Sequence, residues 1–249
     1  DIISKINKKT LCVICVQLNG RAIDVNYIKN KKKVFILEDA AQSFYSKSKK
    51  FFIGTTADIG ILSFSMGKIV TSGQGGAVIT NSNIINKSIK LLKNNGIENR
   101  YVDKWNSPGL NFKFTDIQAT ILLEQIKKIE ETKKKLIKLY LYYKKRLNEI
   151  NDIVLVDDKL VTGRIPLYIE CYSKKKNLIF NKIKNSKKMI RVNYQSLHKT
   201  EYFQKFLSKK KTFKNSNSYN KYSFYFPSGP DQDTKKIDVL LNNLKKILN

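Results

Sequence analysis

The chain has 249 residues, 41% of them hydrophobic, with four prolines and eleven glycines, enough for one large or two modest domains with packed cores. No run of eighteen apolar residues occurs, so no membrane-spanning helix is expected, and no charged-then-apolar leader opens the chain, which favours the cytoplasm. The formal net charge of +28 raises nucleic acid as a partner, but only five of the 48 basic residues are arginine and the lysines are dispersed, which weighs against base reading.

Thr10 to Gln17 reads as a buried strand closed by an Asn19-Gly20 turn. Asp24 can cap a short helix through Tyr27 and Ile28, and Val34 to Leu37 is the next strand. This is a strand-helix-strand unit, so the two strands are expected to be parallel. The second ends in two carboxylates, Glu38 and Asp39, which could serve a ligand or cap a helix beginning at Ala40. Residues 44–58 are loop-like, with Phe51-Phe52-Ile53 as an edge strand. A further apolar run, Ile59 to Ser65, delivers Lys68 just past its end. The turn Gly73-Gln74-Gly75-Gly76 follows and leads into a strand from Ala77 to Thr80. Ligands in open α/β sheets sit beyond the carboxyl ends of strands, and here two such ends present an acid and an amine. That pairing suits pyridoxal 5'-phosphate (PLP), which takes an amine for its Schiff base and an acid to keep its pyridine nitrogen protonated.

A helix is expected from Asn81-Ser82 to about Asn95, stopped by Gly96, with Ile85, Ile89 and Leu92 on one face. The loop from Ile97 to Phe114 carries the only tryptophan, Trp105. Thr115 and Gln118 form a capping-box signature for a single long helix running to about Ile150, bridging two lobes. Along it Ile117, Ile121, Ile126, Ile129, Leu136, Leu139, Tyr143 and Leu147 keep an apolar stripe, and Glu130 and Glu131 stand four residues before Lys134 and Lys135. Short strands at 153–156, 164–171 and 188–194 and a helix near 174–185 then make an α+β lobe. An amphipathic helix from Asp233 to Leu248 closes it. Lysine triplets starting at 31, 133, 174 and 209 read as solvated faces. Cys12 and Cys15 form a C-x-x-C whose side chains a strand would aim at opposite faces, and no second pair exists. They and Cys171 are expected to be reduced, buried thiols, with no metal site.

EDAAQS at residues 38–43, ADIGILSFS at 57–65, Lys68 and TSGQGGA at 71–77 follow one another in an order and at intervals that resemble the PLP-dependent nucleotide-sugar aminotransferases of the DegT/DnrJ/StrS type, of fold type I. LNGRAIDVN, GLNFKFTDIQA and FPSGPDQDTKKID are similar to further segments of that family, so the resemblance covers nearly all of the chain. It implies an α/β fold: residues 1–130 as the remainder of a PLP-binding large domain with a mainly parallel sheet, and 131–249 as a smaller α+β domain joined by the long helix.

The resemblance also implies roles. Lys68 would bond covalently to PLP and shuttle the proton, Asp39 would pair with the pyridinium nitrogen, and Gln42 would lie against the ring or its hydroxyl. Ser63 would hydrogen-bond the phosphate, and Asn111 would reach the phosphate in a neighbouring subunit, which implies a homodimer. His198 resembles a position near the substrate mouth. The reaction would move an amino group from an amino acid, usually glutamate, to a keto sugar on a nucleoside diphosphate, for surface polysaccharide or related glycans. A basic surface would attract such a substrate.

Taken alone, Lys68 could be one more surface lysine, Ser63 a strand residue, Asn111 a loop residue and His198 a structural ring. Tyr45 stands where the family has glycine, Gln74 where it has glutamate and Lys113 where it has arginine. The family is longer at its front, where a Ser-Gly-Thr-like turn holds the PLP phosphate and an aromatic stacks on the ring. Neither is found here. A truncated or degenerate scaffold, and more distantly a basic RNA-binding module, are therefore the alternatives.

Overall fold

The computed structural model describes all residues except 100, 102–104, 106, 158, 184–188 and 208–211. The chain divides into two compact units. One is Asp1–Lys133 with Val161–Leu167, the other Lys134–Leu160 with Tyr168–Asn249.

The first unit runs α1 (Ile2–Lys5), β1 (Cys12–Val16), α2 (Val25–Lys31), β2 (Phe35–Asp39), the short pair β3 (Lys47–Ser48) and β4 (Phe51–Phe52), β5 (Ile59–Ser63), β6 (Gly76–Ile79), α3 (Asn83–Lys93) and α4 (Asp116–Lys127). Its main sheet has the order β1-β2-β5-β6, with β1, β2 and β5 parallel and β6 antiparallel to β5. The sheet is therefore mostly parallel, as expected. Strand alternation gives it two unlike faces. Cys15 and Ile36 turn inward against Val25 and Ile28 of α2 and the isoleucines of α1. Ile14, Val16, Phe35 and Val78 stay exposed on the opposite face, which by register also carries Asp39 and Ser63.

The second unit takes up most of α5 (Ile129–Leu147), then β7 (Val154–Leu155), β8 (Ile169–Tyr172), α6 (Lys176–Lys182), β9 (Arg191–Val192), α7 (Glu201–Gln204), α8 (Lys214–Tyr222), β10 (Ser223–Phe226) and α9 (Thr234–Leu248). Its sheet is antiparallel, in the order β7-β8-β10-β9. The apolar stripe of α9 (Ile237, Leu240, Leu241, Leu244) and that of α5 (Leu139, Tyr143, Leu147) close one core over Ile169, Cys171, Phe224 and Phe226. Each such leucine or isoleucine contributes about 2 kcal/mol by leaving water.

Three expectations change. The single helix over 116–150 is two, broken at Lys128, whose backbone leaves the helical region (φ −99°, ψ 10°). Lys127 closes α4 and Glu130 and Glu131 open α5, so the charges suit two helix dipoles end to end better than the middle of one. No helix starts at Ala40, because residues 40–46 form successive turns. Cys12 is exposed, while Cys15 and Cys171 are buried, and all three are free thiols. The end of the expected helix near 174–185, the start of the strand at 188–194 and the lysine triplet at 209 lie outside the described residues.

Candidate active site

Alternation at the end of β2 separates the two carboxylates. Glu38 is 2% exposed. Its Oε1 accepts from the Gln17 side-chain amide at 2.9 Å, and its Oε2 accepts from the Thr56 N–H at 3.3 Å and hydroxyl at 3.1 Å. These donors satisfy a buried charge, so Glu38 is occupied in holding the fold. Asp39 faces the other way. Its Oδ1 accepts from the Ala41 N–H at 3.0 Å, and its Oδ2 accepts no hydrogen bond from the described residues.

Lys68 stands on a reverse turn between β5 and β6. Its N–H donates to the Ser65 carbonyl at 3.2 Å, and Gly67 supplies the positive φ of 85° that such a turn demands at its third position. The wider excursion is closed by Phe64 N–H to Gly75 carbonyl (2.9 Å), Met66 N–H to Gly73 carbonyl (3.0 Å) and Ser72 N–H to Phe64 carbonyl (3.0 Å). Gly75 has no room for a side chain, since a β-carbon there would meet the Phe114 ring at 2.4 Å. Gln118 of the α4 capping box donates to the Gln74 carbonyl at 3.2 Å, so the start of that helix braces the turn.

The Lys68 amine is half-buried. Burial pulls its pKa below the ordinary lysine value, and the carboxylate of Asp39 partly opposes that pull. The acid and the amine, which lie beyond the carboxyl ends of neighbouring parallel strands, thus feel each other's charge. At the end of β5 the Ser63 and Ser65 hydroxyls are 3.2 Å apart. On the turn after Asp39, the Gln42 side-chain oxygen accepts from the Asn19 N–H at 3.3 Å, which leaves its amide NH2 without a partner among the described residues.

Asn111 lies elsewhere in the first unit, exposed and bridged antiparallel to Asn94. His198 belongs to the second unit, where its ring stacks on Phe213 at 4.6 Å between centroids and its Nε2 donates to Asn217 Oδ1 at 2.9 Å. Sequence reasoning passed over Gln17, Asn19, Thr56 and Arg164. An Asn-Gly turn hints at the left-handed Asn19 (φ 54°), but nothing local in the sequence announces the others.

PLP fits this set of groups. A carboxylate with one oxygen unengaged can hold a pyridine N–H, an amine with a depressed pKa can form the covalent bond, and paired hydroxyls can donate to a phosphate. Among the described residues no His/Cys/Asp/Glu group could hold a metal, and no helix is long and apolar enough to cross a membrane.

Residues 1–245 match the model of the DegT/DnrJ/EryC1/StrS aminotransferase family. The chain is 32% identical over 156 residues to the GDP-perosamine synthase of Escherichia coli O157:H7, an alignment covering 60% of this chain and 42% of that protein. It is 24% identical over 246 residues to the UDP-4-amino-4,6-dideoxy-N-acetyl-beta-L-altrosamine transaminase of Campylobacter jejuni subsp. jejuni serotype O:23/36 (strain 81-176), covering 94% of this chain and 64% of that one. The chain therefore spans less than two thirds of the length of these relatives. Among solved structures, Helicobacter pylori PseC, an aminotransferase involved in the biosynthesis of pseudoaminic acid, superposes with a TM-score of 0.88 at 19% identity, over 98% of this chain and 68% of PseC. At that identity the likeness is one of fold.

Proposed function

The chain belongs to the DegT/DnrJ/EryC1/StrS aminotransferase family, and from that premise we propose that it serves to move an amino group from an amino acid, glutamate, to a keto sugar on a nucleoside diphosphate, using PLP. The observation that carries this is the half-buried Lys68 amine under the charge of Asp39 at the ends of adjacent parallel strands. PLP, when bound, supplies an electron sink for the carbon that loses its proton. Asp39 would hold a proton on the ring nitrogen through the oxygen that accepts nothing from the described residues, while its Oδ1 accepts from the Ala41 N–H. Lys68, whose pKa burial pulls down, would provide the covalent tether and then carry the proton as base and acid. Ser63 and Ser65 would donate to the phosphate, and the NH2 of Gln42 would serve the ring or its hydroxyl.

The GDP- and UDP-linked sugars in the relatives' names support the substrate class, and the aminated nucleotide sugar would serve surface polysaccharide or related glycan synthesis. A homodimer is part of the proposal. Asn111 is exposed between the exposed side chains of Leu110 and Phe112, and Ile117 nearby is 75% exposed, a surface suited to a second copy whose site Asn111 would complete. His198 is assigned to substrate contact, and the tie to Asn217 would fix its ring.

The test is amination itself. The chain is incubated with PLP, glutamate and a GDP- or UDP-linked keto sugar, and the amino sugar is followed by mass spectrometry. Lys68→Ala is expected to lower the rate by roughly a hundredfold or more, and an unchanged rate would refute the assignment.

A further inference from the structure

We propose that Arg164 is a positioning residue that fixes the Gln42 amide through the backbone of Asn19. The inference rests on the reading of Gln42 as a cofactor contact.

The chain is arginine-poor, yet at position 164 it places an arginine that is only 6% exposed. It lies on the segment Val161–Leu167, which belongs to the first unit although the residues on either side belong to the second. This segment straps the loop that follows Asp39. Lys47 N–H donates to the Gly163 carbonyl at 2.8 Å, and Ile165 N–H donates to the Ser46 hydroxyl at 3.1 Å.

Within the strap, Arg164 Nε donates to the Asn19 carbonyl at 3.0 Å. Asn19 sits in the left-handed region and is 1% exposed, and its N–H donates to Gln42 Oε1 at 3.3 Å. Asparagine tolerates that backbone conformation better than other side chains, and here both its carbonyl and its N–H are held. Gly20 next to it is fixed as well: its N–H donates to the Ser43 hydroxyl at 3.1 Å, and a β-carbon on it would lie 2.4 Å from the Ile165 carbonyl oxygen.

The guanidinium therefore holds the Asn19–Gly20 peptide, the left-handed Asn19 carries that constraint to the peptide before it, and the Asn19 N–H of that peptide sets the oxygen of Gln42. Lysine could keep the charge, but it lacks the planar Nε–H that this geometry uses.

The test is a double-mutant cycle read by PLP affinity and the visible spectrum of the bound cofactor, with thermal midpoints recorded for each variant. Gln42→Ala and Arg164→Met are each expected to weaken PLP binding by roughly three- to tenfold, the size of one neutral hydrogen bond. Arg164→Met is expected to add no further loss on the Gln42→Ala background, although its thermal midpoint falls in both. Arg164→Lys should behave like Arg164→Met in the spectrum and the affinity, and it carries the same cycle if Arg164→Met does not fold. Additive losses of PLP affinity, or full rescue by lysine, overturn the inference while leaving the role of Gln42 intact. A wild-type chain that takes up no PLP overturns the reading of Gln42, and this inference with it.

Discussion

Lys68 is governed by two opposing influences, and their signs give a pH prediction. Burial disfavours the ammonium and lowers its pKa, while the Asp39 carboxylate favours the ammonium and raises it, with burial the larger. Asp39→Asn removes the opposing charge, so the Lys68 pKa falls further. The amine of the variant should become reactive toward an amine-selective reagent at lower pH than in the wild type, measured by peptide mapping across a pH series. A shift to higher pH would mean that Asp39 does not act on Lys68. A second residue prediction concerns Tyr143, whose hydroxyl is fully buried with no hydrogen-bond partner among the described residues. Tyr143→Phe removes a group that lost its water for nothing and should raise stability by about 1 kcal/mol in urea denaturation. At this scale Lys68 and Asp39 could be singled out because each stands within three residues of the end of an apolar run and inside a motif that resembles the family. The burial of Glu38 was not, since its partners Gln17 and Thr56 lie far along the chain. Tyr45, where the family has glycine, does adopt a positive φ of 63°, and it packs its ring against Phe52 at 5.1 Å between centroids.

At the scale of elements, the excursion that carries Lys68 depends on glycine at a specific place. Gly75 has φ 135° and the Phe114 ring fills the space of any side chain. Gly75→Ala should therefore destabilise the first unit by about 1–3 kcal/mol and spread the Lys68 turn, seen as lower thermal midpoint together with weaker PLP uptake. A variant as stable as the wild type would show that the turn does not need this packing. Thr115→Ala, which removes the capping box and loosens the Gln118 brace on Gln74, should cost about 1 kcal/mol by the same denaturation measurement. Strands, the glycine turn and the capping box were readable because each has a local signature. The break at Lys128 was misread because the apolar stripe runs on across it, and only the change from basic to acidic residues marks the junction. The turns after Asp39 were open to a helix reading because Asp-Ala-Ala also starts helices, and the hydrogen bonds that decide the matter come from Asn19, Gly20 and the strap.

For the whole molecule, the first unit's sheet is covered on one face by α1 and α2, while the face bearing Asp39 and Ser63 leaves Ile14, Val16, Phe35 and Val78 in solvent. A mostly parallel sheet is stable with both faces covered. A second apolar surface lies on α4, where Ile117 and Ile121, one turn apart, are exposed. If that surface pairs two copies, Ile117→Asp with Ile121→Asp should convert a dimer to a monomer in analytical ultracentrifugation, and a wild-type monomer at high concentration would contradict the pairing. The family was legible from motif order, but a buried strap whose neighbours in the chain belong to the other unit has no signature in composition or periodicity. The most direct test of the whole account is to add PLP, reduce the mixture with borohydride and map the label. The account predicts that the label is concentrated on the peptide containing Lys68 and disappears in Lys68→Ala. Label spread evenly over the many other lysines, or undiminished in Lys68→Ala, would contradict it.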